Sequence, residues 1–202
     1  MAEFTLVIGN KNYSSWSLRG WLMARIAGVE FEEIVVPLDQ KDTAVNIRKH
    51  SPSGKVPVLM HRGLAIWESL AIAEYLNELK PDAGLLPADP VARAHCRAIC
   101  GEMHSGFANL RSALPMNLKV RHEGFKVWAG AQADIDRVTA IWRECLQRHG
   151  GPYLFGKTAT VADAMYAPVC TRFATYDVKL DPASAAYRDL MMKFPAHTLK
   201  PS

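Results

Sequence analysis

The chain has 202 residues, 49% of them hydrophobic and 22% charged, an ordinary globular composition that excludes disorder and suffices for one large or two small packed domains. Lys and Arg number 24 against 20 Asp and Glu, a formal charge of +4, which favours anionic ligands mildly and gives no basic arm for nucleic acid. No apolar run approaches the roughly 20 residues that span a membrane, and the opening Met1-Ala2-Glu3-Phe4-Thr5 lacks the basic region and apolar run of a signal peptide.

Phe4 to Ile8 reads as a buried strand ending at Gly9-Asn10. Leu18, Trp21, Leu22 and Ile26 then follow helical spacing, and Gly28 stops that helix. Phe31 to Val36 is a second strand closed by Pro37, and Lys41 to His50 is weakly helical. Val58-Leu59-Met60 and Leu64-Ala65-Ile66 are short strands around a tight His61-Arg62-Gly63 hairpin. Ile72, Tyr75, Leu76 and Leu79 form a last helix face. A strand–helix–strand start favours a parallel pair with a right-handed crossover, and the closing hairpin is antiparallel. The sum over residues 1–80 is an α/β domain of thioredoxin-like arrangement.

Residues 81–89, with Pro81, Gly84 and Pro87, read as a linker. Strand signals then vanish, so residues 90–202 are expected to be all helical. One long helix is expected from 90 to 114, with Ala94, Met103, Phe107, Leu110 and Leu114 at core spacing. Ile135, Val138, Ile141, Trp142, Cys145 and Leu146 mark a second, closed by Gly150-Gly151-Pro152. Thr160 to about Tyr176 is a third, and Asp181-Pro182 starts a fourth. The four cysteines, Cys96, Cys100, Cys145 and Cys170, lie far apart in apolar patterns. They read as free buried thiols in a reducing, cytoplasmic setting. Cys96, Cys100 and His104 share a helical face, but a structural zinc wants four ligands, so core packing is the expectation and no metal is assigned.

Three short motifs carry chemistry. In Ser53-Gly54-Lys55-Val56-Pro57-Val58-Leu59, a proline at the head of a strand cannot join the ladder, and it suits a cis bond. Val56 then offers its N–H and C=O to an extended peptide, and Lys55 meets a carboxylate at the far end of such a ligand or is merely solvated. Glu68-Ser69 opens a helix. The unpaired N–H groups there and the Ser69 hydroxyl suit a carboxylate, while Glu68 holds an ammonium; together they recognise an α-amino-acid head. Tyr13-Ser14-Ser15-Trp16-Ser17 lies between first strand and first helix, where serines either cap the helix or donate to a bound thiolate. Lowering a thiol from a pKa of ~8.5 by about two units needs roughly 2.7 kcal/mol. One hydrogen bond to a charged group supplies about 1.5–3 kcal/mol and a helix end about 0.3–1 kcal/mol, so the two suffice.

The order and spacing of these elements resemble the glutathione S-transferase superfamily over nearly the whole chain. The most specific pieces are the Ser53 to Leu59 stretch, Glu68-Ser69, and Thr160-Val161-Ala162-Asp163, a capping box followed by Pro168, a kink-forming position. Ser14-Ser15-Trp16-Ser17-Leu18-Arg19 looks nearest the zeta class, which includes maleylacetoacetate isomerases and shows Ser-Ser-Cys there. The resemblance makes Ser14 the thiol-activating hydroxyl, assisted by Ser15, and implies glutathione held by Lys55, Val56, Pro57, Glu68 and Ser69. It implies a homodimer, a small hydrophobic electrophile as partner, and an acceptor pocket in the helical half that draws on Trp16, His104, Phe107 and Arg111. Departures are visible. Trp16 replaces the cysteine, Thr175 stands near the arginine of the isomerases with Arg172 one turn earlier, and the stretch after Phe194-Pro195 is short, implying a reduced lid.

The leading expectation is thus a glutathione transferase. The alternatives are a glutathione-dependent cis–trans isomerase and a non-catalytic binding protein of the same fold. A disulfide oxidoreductase would place a cysteine at the first helix start, and none of the four lies there.

Overall fold

The computed structural model describes residues 3–194. The opening Met1-Ala2 and the short stretch from Pro195 onward, on which the lid expectation rests, lie outside the described residues. The chain divides into two compact units, Met1–Leu86 and Pro87–Ser202.

In the first unit the elements run β1 (Phe4–Ile8), α1 (Ser15–Ile26), β2 (Phe31–Val35), α2 (Thr43–Arg48), β3 (Val58–His61), β4 (Leu64–Trp67) and α3 (Ser69–Leu79). The sheet order is β2-β1-β3-β4. β1 and β2 are parallel across the α1 crossover, and β3 runs antiparallel to both β1 and β4. This is the mixed thioredoxin-like sheet that the element order implies. The pair His61↔Leu64 leaves a two-residue turn, with Arg62 and Gly63 at φ 48° and 79°. Two left-handed residues make the turn whose twist matches a hairpin.

The central strands are fully buried: Leu6, Val7 and Ile8 of β1, and Val58 and Leu59 of β3. Alternation assigns their side chains to two faces. Val7 and Val58 pack with Ile47 of α2 and Val36. The opposite face meets α1 and α3, which pack on each other and bury Leu18, Trp21, Leu22, Ile72 and Leu76.

The second unit is helical: α4 (Pro90–Ser105), α5 (Ala108–Ala113), α6 (Ala129–His149), α7 (Val161–Thr175) and α8 (Pro182–Lys193). The one long helix expected from 90 to 114 is therefore corrected to two. Gly106 is extended and Phe107 left-handed at φ 60°. Met103, Phe107, Leu110 and Leu114 are nonetheless all buried, so the apolar period runs through the break and conceals it. Arg111 turns back and donates to the carbonyls of Met103 and His104, satisfying acceptors that the end of α4 leaves open. Arg172 does the same for α5, donating to the carbonyls of Arg111 and Leu114.

α7 is the axis of this unit, buried continuously from Val161 to Phe173 and unbroken through Pro168. Trp142 of α6 sits edge-on to Tyr166 and Tyr187. The four cysteines are free and buried. Burial pushes the Cys145 thiol up to about 12 and the Cys170 thiol well above its ordinary value. The hydrogen bond that the Cys100 thiol makes to Cys96, and burial, raise the Cys100 thiol well above its ordinary value. These are inert packing groups, not nucleophiles.

Asp163 is fully buried at the head of α7. One carboxylate oxygen accepts from Leu154 N–H (3.1 Å) and the Tyr187 hydroxyl (3.0 Å). The other accepts from Thr160 N–H (2.8 Å) and the Thr160 hydroxyl (3.0 Å). Burial raises its pKa, and these bonds oppose the rise. Because both oxygens face only donors, an amide would turn its own N–H₂ against two of them. Asp163→Asn is therefore expected to destabilise almost as much as Asp163→Ala, each by about 3–5 kcal/mol, read from the shift in urea midpoint at constant m.

Candidate functional site

Sheet pairing brings the three sequence motifs to one end of the first unit. In the antiparallel β1/β3 pair, Val7 lies opposite Val58, and Val58 lies opposite Trp67 of β4. The chain leaving β1 through Gly9 to Ser14, the chain entering β3 through Val56-Pro57, and the chain leaving β4 into Glu68-Ser69 thus emerge from the same edge of the sheet. Sixty residues of sequence separation collapse into one neighbourhood.

α1 begins here. Ser14 is its N-cap, accepting from Ser17 N–H at 3.3 Å, and Ser15 opens the first turn. No acidic residue occupies that turn, so the partial positive charge at the helix start is available to an outside anion. The Ser14 hydroxyl donates to Ser17 Oγ at 2.9 Å, and Ser17 Oγ also accepts from Gly9 N–H at 2.8 Å. Ser14 and Ser15 are half-buried, whereas Ser17 is wholly buried. The tie of Ser17 to Gly9 has no signal in the sequence, because it depends on where β1 ends relative to α1. Trp16 lies over the guanidinium of Arg19, 4.5 Å from ring centroid to carbon, and Arg19 is itself buried.

One helical turn into α1, Gly20 meets Pro57. A Cβ at Gly20 would stand 2.8 Å from Pro57 Cγ and 2.9 Å from Pro57 Cβ, so the missing side chain sets the distance between α1 and the head of β3. The Val56-Pro57 peptide is cis. Pairing of β3 starts only at Val58, which leaves Val56 and Pro57 beyond the ladder. A serine network shapes the preceding loop. Buried Ser51 donates to the Lys55 carbonyl (2.7 Å), and Lys55 N–H donates to Ser51 Oγ (3.2 Å) and Ser53 Oγ (3.3 Å). The Lys55 side chain is exposed.

Glu68 caps α3, its carboxylate accepting from Leu70 N–H at 3.2 Å. Its backbone holds φ 77° and ψ 128°, a conformation that costs a non-glycine residue about 1–3 kcal/mol and clusters at functional sites. The helix is already served by that carboxylate, so the polar group left over is Ser69. Its hydroxyl is fully buried and has no hydrogen-bond partner in the described structure. A buried hydroxyl in that condition costs about 1–3 kcal/mol, and at a helix N-terminus a carboxylate would satisfy it.

The residues assigned to an acceptor pocket in the helical half fall on two helices where one was expected. His104 does not share a continuous helix with Phe107 and Arg111: Gly106 is extended, and Phe107 is the left-handed N-cap of α5, its carbonyl accepting from Arg111 N–H at 3.1 Å. Phe107 is buried, His104 is half-buried, and Arg111 caps α4. Arg172 is buried and tied to two carbonyls, and burial lowers its pKa to about 10. Thr175 donates to the Asn117 carbonyl at 3.0 Å. Among the described residues no group of three or more His, Cys, Asp and Glu could hold a metal ion, and no helix is long and apolar enough to cross a membrane.

Comparison with known proteins follows this division of the chain. Residues 13–79 match the family profile of the glutathione S-transferase N-terminal domain, and residues 120–196 that of the C-terminal domain. A probable maleylacetoacetate isomerase of Caenorhabditis elegans is 33% identical over 83% of this chain and 78% of its own. Maleylacetoacetate isomerase of Rattus norvegicus is 32% identical over 83% and 77%. Among solved structures, a bacterial maleyl pyruvate isomerase described as a zeta-class glutathione S-transferase superposes with a TM-score of 0.72 at 24% identity, covering 94% of this chain and 92% of that one. A theta-class glutathione S-transferase of Xanthomonas axonopodis pv. citri gives 0.68 at 23%, covering 98% and 95%.

The Gly20–Pro57 contact yields a first test of the site's architecture. Gly20→Ala is expected to lose about 1–3 kcal/mol of stability by overpacking, measured by denaturant titration. A neutral result would show that the helix can slide away from Pro57.

Proposed function

The chain belongs to the glutathione S-transferase family of enzymes, and from that premise we propose that it binds glutathione at the β1/β3/β4 edge and activates the thiol through Ser14. The observation that carries this reading is the Ser69 hydroxyl, buried and unpartnered at the start of α3. It fits the α-carboxylate of the peptide, with Glu68 beside it for the ammonium. Val56 supplies main-chain partners outside the ladder, and Lys55, exposed on its serine-built loop, reaches the far carboxylate. Ser14 donates to the sulfur, and the acid-free first turn of α1 adds its dipole. Glutathione supplies a thiolate nucleophile, which conjugation to a small hydrophobic electrophile consumes and isomerisation returns.

Transfer is the first reading because the chain's own residues explain thiol activation and say nothing more specific about the acceptor. Cis–trans isomerisation of a maleyl-type substrate is the second, favoured by the names of the relatives in worm and rat. Against it stand Arg172 and Thr175, the residues nearest the expected anion-binding position, which are engaged with backbone carbonyls. A glutathione-binding protein without turnover is the third. Buried reduced thiols fit a cytoplasmic setting, and the family habit is a homodimer, which sedimentation would test.

Two variants test the proposal. Ser14→Ala is expected to slow glutathione-dependent conjugation of a model electrophile by about 10–150-fold, the worth of one hydrogen bond to a charged atom; an undiminished rate would remove Ser14 from the chemistry. Ser69→Ala deletes an unsatisfied buried hydroxyl, so the apo protein is expected to melt at the same temperature or higher. Its affinity for glutathione is expected to fall about tenfold by calorimetry. Unchanged affinity would show that Ser69 does not meet the ligand. Assaying a maleyl-type substrate for isomerisation alongside the conjugation assay separates the two reactions.

A further inference from the structure

The hydroxyl pair at the head of α1 is arranged for a direction opposite to the one that thiol activation needs. Ser14 Oγ donates to Ser17 Oγ at 2.9 Å, so its proton is turned inward. An inward proton cannot serve a sulfur anion. Ser17 Oγ meanwhile accepts from Gly9 N–H at 2.8 Å, and these are its two partners among the described residues. Its own hydrogen therefore has no fixed acceptor, and the O–H bond is able to rotate toward Ser14.

We propose that Ser17 is a positioning residue that reverses the hydrogen bond between the two serines when an anionic sulfur docks, resting on the reading that glutathione binds here. After reversal the donors run in one direction: Gly9 N–H to Ser17 Oγ, Ser17 O–H to Ser14 Oγ, and Ser14 O–H to sulfur. The Ser14 oxygen accepts from both Ser17 O–H and Ser17 N–H, the latter already at 3.3 Å, and its single proton faces outward. Reversal is a small turn of the two hydroxyl groups at a separation, 2.9 Å, that already suits a hydrogen bond. The thiol proton leaves to solvent, and no bond other than S–H is broken.

The reversed chain strengthens Ser14 as a donor for two reasons. Donors in series polarise one another. Ser17 is also fully buried, so water does not compete for its hydroxyl. Ser17 also anchors to β1 through Gly9 N–H at 2.8 Å, which fixes the orientation of the cap relative to the sheet. Ser15, one residue from Ser14, has no such tie to Gly9 and is not the relay partner.

The test is the pKa of the bound thiol, read from thiolate ultraviolet absorbance as a function of pH, alongside calorimetric affinity for S-methylglutathione, which has no thiol to ionise. Ser17→Ala is expected to raise the bound thiol's pKa by about half a unit, roughly a threefold loss of thiolate below that pKa, with S-methylglutathione affinity within about twofold of wild type. Because the alanine strands Gly9 N–H in a buried site, Ser17→Cys serves as the second variant; it keeps nearly the same volume, donates weakly, and is expected to give a smaller rise in the same direction. An unchanged thiol pKa in either folded variant overturns the proposal. So does weakened S-methylglutathione binding with an unshifted pKa, which assigns Ser17 a purely structural role. If wild type itself binds neither compound, the glutathione reading falls and the relay falls with it, whereas a normal wild type beside unaffected variants removes the relay alone.

Discussion

Pairing β3 antiparallel to β1 determines where every candidate group in the first unit ends up. Val7 opposite Val58 and Val58 opposite Trp67 bring the start of α1, the Val56-Pro57 step and the start of α3 to one sheet edge. The register is held by burial, since a slip of one residue would turn Leu6, Ile8 and Leu59 away from α1 and α3. Gly20 completes the constraint from the helix side, where Pro57 occupies the space of the absent Cβ. The site is therefore a by-product of core packing: two helix starts and one proline corner converge because the central strands do.

Around that edge two groups are held in unfavourable states. Glu68 holds a positive φ, and Ser69 buries a hydroxyl without a partner. Both features cost stability. The Ser14–Ser17–Gly9 network shows a different economy, in which each polar atom is satisfied yet one proton stays free to turn.

The helical unit solves another problem, that of ending helices inside a packed body. Arg111 closes α4 and Arg172 closes α5, each through carbonyls that have lost their helical donors. Thr175 and Tyr176, at the far end of α7, fasten the loop after α5 through the carbonyls of Asn117 and Pro115. At the near end, Asp163 gathers four donors. α7 thus organises its surroundings from both ends, and cations that sequence spacing would offer to a substrate are instead spent on backbone acceptors.

Much of this was legible without coordinates. Alternating and 3.6-period patterns marked the strands and most helices, Gly63 and Gly28 marked their turns, and the Ser53 to Leu59, Glu68-Ser69 and Thr160 to Asp163 motifs pointed to the family and its chemistry. These are local signals, set by backbone sterics and capping, which act over a few residues. The break at Gly106-Phe107 was hidden because Met103, Phe107, Leu110 and Leu114 remain buried on both sides of it, and periodicity reports burial and not direction. Ser17's bond to Gly9, Gly20's contact with Pro57, Arg111's return to α4 and the isolation of Ser69 belong to tertiary structure alone. Each depends on which segments the sheet register and helix packing bring within a few ångströms, and no pattern along the chain encodes that distance.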